Sequence, residues 1–76
     1  MTQINYGYLE VGDLVRFYPA DPEEPWYLVL ANSKESDRYK IKLFELKRNM
    51  ILQISPFHRE SLSLVIVVRE GARIFP

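Results

Sequence analysis

The chain has 76 residues, of which 47% are hydrophobic and 26% are charged, a composition typical of one small folded domain with a single core. Ten basic and ten acidic residues cancel, so the net charge gives no support to a nucleic-acid or membrane-surface protein, and such a partner would need a local patch. Cysteine is absent, which excludes disulfides, thiolate zinc sites and a cysteine nucleophile.

The N-terminal residues lack the basic and apolar segments of an export signal. No apolar run approaches the roughly 18 residues of a membrane-spanning helix. We therefore expect a cytoplasmic chain or a component of an assembly, neither exported by a visible signal nor membrane-spanning. Residues 1–10 are expected to form an N-terminal arm or an extra strand.

The first predicted strand covers residues 11–17, where Gly12 and Asp13 precede β-branched and aromatic residues in partial alternation. Residues 18–25 contain three prolines and three acids, so neither a helix nor a central strand can pass through them, and an acidic loop is predicted. A compact apolar and aromatic run predicts a second strand over residues 26–31. Residues 32–37 have the composition of a loop.

The third predicted strand covers residues 39–46 and alternates apolar residues with Lys40 and Lys42. Residues 47–49 can connect it to a fourth strand over 50–54, because Asn49 tolerates a positive φ. A continuous helix over residues 39–54 is the alternative. The β-branched and aromatic content, together with Asn49, favours an antiparallel hairpin.

Residues 55–60 begin with a strand-ending proline and are predicted to form one short 3₁₀ turn before the last strand, residues 62–68. The domain then covers residues 11–70, and residues 71–76 form a tail. In the last strand the even-numbered residues are expected to fill one face, so that Val65 and Val67 point the other way. Exposed, this second apolar face would favour aggregation, so we expect the N-terminal segment around Ile4, Tyr6 and Tyr8, or another chain, to cover it.

This order of elements resembles the small five-stranded barrels of the Src-homology-3-like class, which includes Tudor-type and KOW-type modules. The sequence Val11-Gly12-Asp13-Leu14-Val15 is similar to the Gly-Asp-x-Val opening strand of such barrels and of small bacteriophage proteins of this shape. The resemblance implies an all-β, five-stranded barrel with one 3₁₀ turn, and a phage protein of this kind implies a place in a virion. The Ala-Leu-Tyr-Asp-Tyr run of signalling Src-homology-3 domains and the KOW glycine are absent, so neither proline-rich peptide recognition nor a ribosomal role carries over.

Residues that could support catalysis are few. His58 is the only histidine, and its neighbours Ser55 and Glu60 are typical of a solvated turn. One histidine without cysteine cannot make the usual zinc sites, and the acids of residues 21–24 lack the spacing of a calcium loop. The sequence predicts a protein that is not an enzyme and uses no metal or cofactor.

Three kinds of partner remain open. The first hypothesis is a non-catalytic interaction or structural module in a homo-oligomer or larger assembly, for example a small phage virion component that cements or connects larger subunits. Its predicted contact residues are Tyr18, Asp21, Glu23, Glu24, Trp26, Val65, Val67, Ile74 and Phe75.

The alternative is a nucleic-acid-binding barrel, in which basic residues of the hairpin contact phosphates and a tyrosine stacks on a base. Its predicted residues are Tyr39, Lys40, Lys42, Lys47 and Arg48. A third possibility is a cage for a methylated lysine or arginine, built from the aromatic residues Tyr18, Trp26, Tyr27, Tyr39 and Phe44.

Overall fold

The computed structural model describes residues 4–17, 23–62 and 65–75. One short 3₁₀ helix, Tyr6–Tyr8, follows the first strand. The strands are β1 (Ile4–Asn5), β2 (Leu14–Phe17), β3 (Tyr27–Glu35), β4 (Arg38–Glu45), β5 (Met50–Ile54), β6 (Ser61–Leu62), β7 (Val65–Arg69) and β8 (Ala72–Phe75).

Six of the strands form one antiparallel sheet in the order β5-β4-β3-β2-β7-β8, and β1 pairs with β6 separately. The prediction of an all-β fold is confirmed. The sheet is open, because β5 and β8 lie at opposite edges and no ladder joins them within the described residues. The predicted closed barrel of five strands is therefore not confirmed.

Two hairpins show where the turn predictions succeed and fail. The predicted hairpin of β4 and β5 is confirmed, and Asn49 has the expected positive φ of 54°. The predicted loop over residues 32–37 is wrong. Strand β3 continues to Glu35 and turns back at Ser36–Asp37, because the exposed end of a strand accepts polar side chains.

The segment predicted as a tail contains strand β8. It is joined to β7 by the two residues Glu70 and Gly71, whose φ values of 51° and 79° suit the tight hairpin turn that the strand twist favours. The chain therefore contributes one more strand to the sheet than predicted.

The 3₁₀ turn predicted before the last strand is not found there. At residues 57–60 the Glu60 N–H donates to the Phe57 carbonyl at 2.9 Å, which closes a simple turn. The 3₁₀ helix instead lies at Tyr6–Tyr8, where the side chain of Asn5 accepts a hydrogen bond from the Gly7 N–H at 2.7 Å and so caps its start.

The core lies on one face of the sheet, here called the inner face. It includes Val67, which has no exposed surface, so the prediction that Val67 points away from the core is wrong. The physical reason is register: Val67 lies opposite the buried Val15 of β2, and paired residues share a face. The buried apolar residues are Leu9, Val15, Val29, Ile41, Leu43 and Val67.

Candidate interaction surface

The face opposite the core, here called the outer face, carries apolar residues that align across five neighbouring strands. The register places Ile51 opposite Phe44, Phe44 opposite Leu28, Leu28 opposite Leu14, and Leu14 opposite Val68. Because side chains alternate along a strand, these five residues, here called the outer row, point away from the core. The outer row is a continuous apolar feature outside the core of the described residues.

The outer row is open to solvent at the β5 end. Ile51 is 64% exposed, and the other four members are half-buried. The 3₁₀ helix lies on the inner face, where the side chain of Asn32 donates hydrogen bonds to the carbonyls of Tyr6 and Leu9 at 3.1 and 2.8 Å. Residues 6–9 thus cover part of the core, on the face opposite the outer row.

Lys40 and Lys42 lie on the outer face beside this row. With Ala31, Ser33 and Gln53 they line a shallow depression of about 240 Å³. Lys40 forms an exposed ion pair with Glu35 at 3.2 Å, whereas no carboxylate of the described residues lies within ion-pair distance of Lys42. The flank of the outer row is therefore basic.

Of the predicted nucleic-acid residues, Lys40 and Lys42 line one depression together. Lys47 is paired with Glu23 at 2.7 Å, and Arg48 is paired with the buried Glu45 at 2.9 Å. The neighbours of the two outer-face lysines are thus a polar depression and an apolar row.

Tyr39 lies on the inner face and packs against the core, so it cannot stack on a base held by Lys40 and Lys42. The prediction that placed it beside them is wrong because consecutive residues of a strand point to opposite faces. The aromatic cage is divided for the same reason. Tyr27 packs edge-to-face on Phe17 at 5.6 Å on the inner face, and Phe44 belongs to the outer row.

The predicted protein-contact residues are only partly described. Tyr18 and Asp21 lie outside the described residues, as do the side chains of Val65, Ile74 and Phe75. Trp26 is half-buried, with the Arg16 guanidinium 5.7 Å from its ring centre. Glu23 is exposed and Glu24 is half-buried. Val67 is fully buried, so it cannot contact a partner.

A second depression, of about 280 Å³, lies beside the Gly-Asp turn and contains a network that sequence reasoning missed. Gly12 has a φ of 96°, which favours glycine, and its N–H donates to the Val29 carbonyl at 2.9 Å. Asp13 is only 1% exposed and accepts two hydrogen bonds from Arg69, both at 2.8 Å. The Glu10 N–H donates a third at 2.8 Å.

Burial alone would raise the pKa of Asp13, but the hydrogen bonds from Arg69 and from the Glu10 N–H outweigh it, so the pKa lies below its ordinary value. The hydrogen bonds that Arg69 donates to Asp13 raise the pKa of Arg69, and the Arg69 guanidinium also lies 4.6 Å from the ring centre of Tyr8. Because its charged groups satisfy one another, this network holds strand ends together and offers a ligand little unpaired charge.

The turn after β5 is stabilised by hydrogen bonds to backbone groups of Ser55, His58 and Glu60. The Ser55 carbonyl accepts from Arg38, and the His58 N–H donates to the Asp37 carbonyl at 2.8 Å. No hydrogen bond joins the three side chains within the described residues.

In the described ranges, no group of three His, Cys, Asp or Glu residues is placed to hold a metal ion. Helices long and apolar enough to cross a membrane are absent from the same ranges. No protein-family model matches the chain, and no curated protein or solved structure matches it significantly.

Proposed function

We propose that this protein is a non-catalytic interaction module whose contact surface is the outer face of the sheet. The observation that carries the proposal is the outer row, an apolar stripe across five strands whose β5 end is open to solvent at Ile51. A partly exposed apolar stripe on a small domain is typical of a protein contact site.

We also propose that the fold belongs to the Src-homology-3-like class. The Gly-Asp opening turn, the consecutive antiparallel order of β2 to β5 and the return of β7 to β2 support this assignment. A phage virion component that cements or connects larger subunits is one form of the proposed function, because such a role needs contact surfaces and no active site.

The test is the sedimentation behaviour of the purified chain across a concentration series at low and high salt, with bound nucleic acid followed by its absorbance. We expect association that rises with concentration and tolerates salt, since apolar contacts are little screened. Phe44→Thr, which interrupts the outer row, should weaken association and raise solubility. Lys42→Gln is the matched control and should leave association unchanged.

Nucleic-acid binding is the competing outcome. A monomer that carries nucleic acid at low salt and loses it in Lys42→Gln would contradict the proposal and assign the basic flank to phosphate binding. A monomer at all concentrations, equally soluble in the wild type and in Phe44→Thr, would also contradict it, because the outer row would then behave as an ordinary surface.

A further inference from the structure

Strand β5 is an edge strand without the usual protection against pairing. Residues Met50–Ile54 include no charge, proline or glycine, and their pairing with β4 runs without a bulge. Its only ladder partner in the described part of the chain is β4. Sheet edges are normally protected by charged residues, proline or bulges, so the free backbone groups of β5 can accept another strand.

The opposite edge differs. The pairing of β7 with β8 is irregular between Val67 and Val68, and β8 includes a charged residue, Arg73. Both features discourage the addition of a strand. Strand pairing with another chain is therefore expected at β5.

Exposed apolar side chains concentrate at this same edge. Met50 is 46% exposed and Ile51 is 64% exposed, and Leu46, in the turn that precedes β5, is 45% exposed. Ile51 is also the last member of the outer row. A strand added at β5 would cover these side chains and continue the outer row.

We propose that β5 pairs antiparallel with β5 of a second copy of this chain, about a two-fold axis at Ile51. This inference rests on the proposed function and names a partner for it. On that axis Ile51 lies beside its own counterpart, Met50 lies opposite Leu52, and no charged residue of either strand enters the pairing. The two outer rows then join into one apolar row across both sheets.

A second copy fits this edge for two reasons. A two-fold interface requires a strand that is compatible with itself, and an uncharged strand with a β-branched residue on the axis meets that condition. The chain also carries no net charge, so two copies do not repel each other at long range.

A charge exchange at Ile51 tests the pairing. The variants Ile51→Lys and Ile51→Glu are prepared separately, and each is measured by sedimentation alone and in an equimolar mixture. Like charges on the axis should weaken the association of each variant alone by about tenfold or more. The mixture should recover a dimer of one copy of each, because Lys then faces Glu. Ile51 is 64% exposed, so both variants should fold, and thermal unfolding checks this.

Val68→Thr separates the β5 edge from the rest of the outer face, because Val68 lies at the other end of the outer row, four strands from β5. Edge pairing predicts that this variant weakens association less than either Ile51 variant does. Failure of the mixture to recover a dimer would overturn the inference, and so would a wild-type chain that stays monomeric. If association is lost in Val68→Thr and survives in both Ile51 variants, the β5 pairing is wrong while the proposed function of the outer face stands.

Discussion

Asp13 joins the turn before β2 to the end of β7. Its buried carboxylate accepts hydrogen bonds from Arg69 at the end of β7 and from the Glu10 backbone before the turn, while its own N–H donates to the Glu10 carbonyl at 3.0 Å. The Gly-Asp pair that resembles a barrel opening thus has a structural explanation. Gly12 permits the turn because it tolerates a positive φ. Asp13 accepts hydrogen bonds from Arg69 of β7, the strand that pairs with β2.

Replacing this carboxylate should destabilise the protein. We expect Asp13→Asn to lower the free energy of unfolding by about 1–3 kcal/mol, because it leaves hydrogen-bonding groups of Arg69 or Glu10 unsatisfied in a buried site. Urea unfolding measures the change. Glu10→Gln is the control, since the exposed Glu10 carboxylate also contacts Arg69 and should cost less than about 1 kcal/mol. Equal losses in the two variants would show that burial of Asp13 is unimportant.

The same carboxylate predicts how stability depends on pH. The pKa of Asp13 is lowered in the folded state, so its contribution is complete above the ordinary pKa of an unfolded aspartate, about 4, and is lost as the pH falls through the folded pKa. The urea midpoint of the wild type should therefore fall more steeply below about pH 4 than that of Asp13→Asn. Parallel pH profiles would contradict the assignment.

The sequence pattern identifies Gly12 and Asp13 but does not predict the contact between Asp13 and Arg69. The glycine and the aspartate form a recognisable local pattern, whereas Arg69 is separated from Asp13 by 56 positions. Local patterns predict a turn, but they do not tell which of ten basic side chains the buried acid will meet. A pairing of this kind is decided by strand order, which a single sequence does not reveal.

The 3₁₀ helix at Tyr6–Tyr8 depends on a close approach between Gly7 and the ring of Tyr39. A Cβ atom at Gly7 would lie 2.6 Å from the Tyr39 hydroxyl and 3.0 Å from the carbon that bears it. We expect Gly7→Ala to lower the free energy of unfolding by about 1–3 kcal/mol, because the ring is packed against the core and has little freedom to move.

The matched test removes the hydroxyl. In a Tyr39→Phe background the same Gly7→Ala change should cost about 1 kcal/mol less, which a double-mutant cycle of urea unfolding measures. Additive effects would place the Tyr39 ring away from the 3₁₀ helix. They would also reopen the possibility that Tyr39 faces the lysines of the outer face.

Some strands and turns are easier to predict from the sequence than others. The hairpin of β4 and β5 was predictable, because an asparagine tolerates the positive φ that its turn requires. The turn at Ser36–Asp37 contains no glycine or asparagine, although Ser36 adopts a φ of 56°. The polar residues on either side of this turn have the composition of a loop, so the sequence does not indicate a strand there. The turn at Glu70–Gly71 did carry a glycine signal, which the position near the end of the chain obscured.

Strand β7 is apolar on both faces, and this explains the error over its orientation. Residues 65–68 are all β-branched and aliphatic, so alternation cannot tell which of them face the core. Pairing with β2 decides it, because Val15 is buried and lies opposite Val67. The outer row therefore includes Val68, in place of the predicted Val67.

The open sheet makes the identity of its two edge strands important for solubility. Removal of residues 70–76 would delete β8 and turn β7, with its apolar residues 65–68, into an edge strand. We expect the shortened chain to lose on the order of 2 kcal/mol of stability, from about 1 kcal/mol for each lost ladder hydrogen bond, and to aggregate more readily.

Thermal unfolding and light scattering measure these two effects against Arg73→Ala, which keeps the backbone of β8. This control should remain close to the wild type, because the ladder with β7 is formed by backbone groups. If the shortened chain matches the wild type in both measurements, β8 is dispensable and β7 tolerates exposure as an edge. If only the shortened chain aggregates, β8 protects the most apolar strand of the sheet and leaves β5 as the edge through which the protein associates.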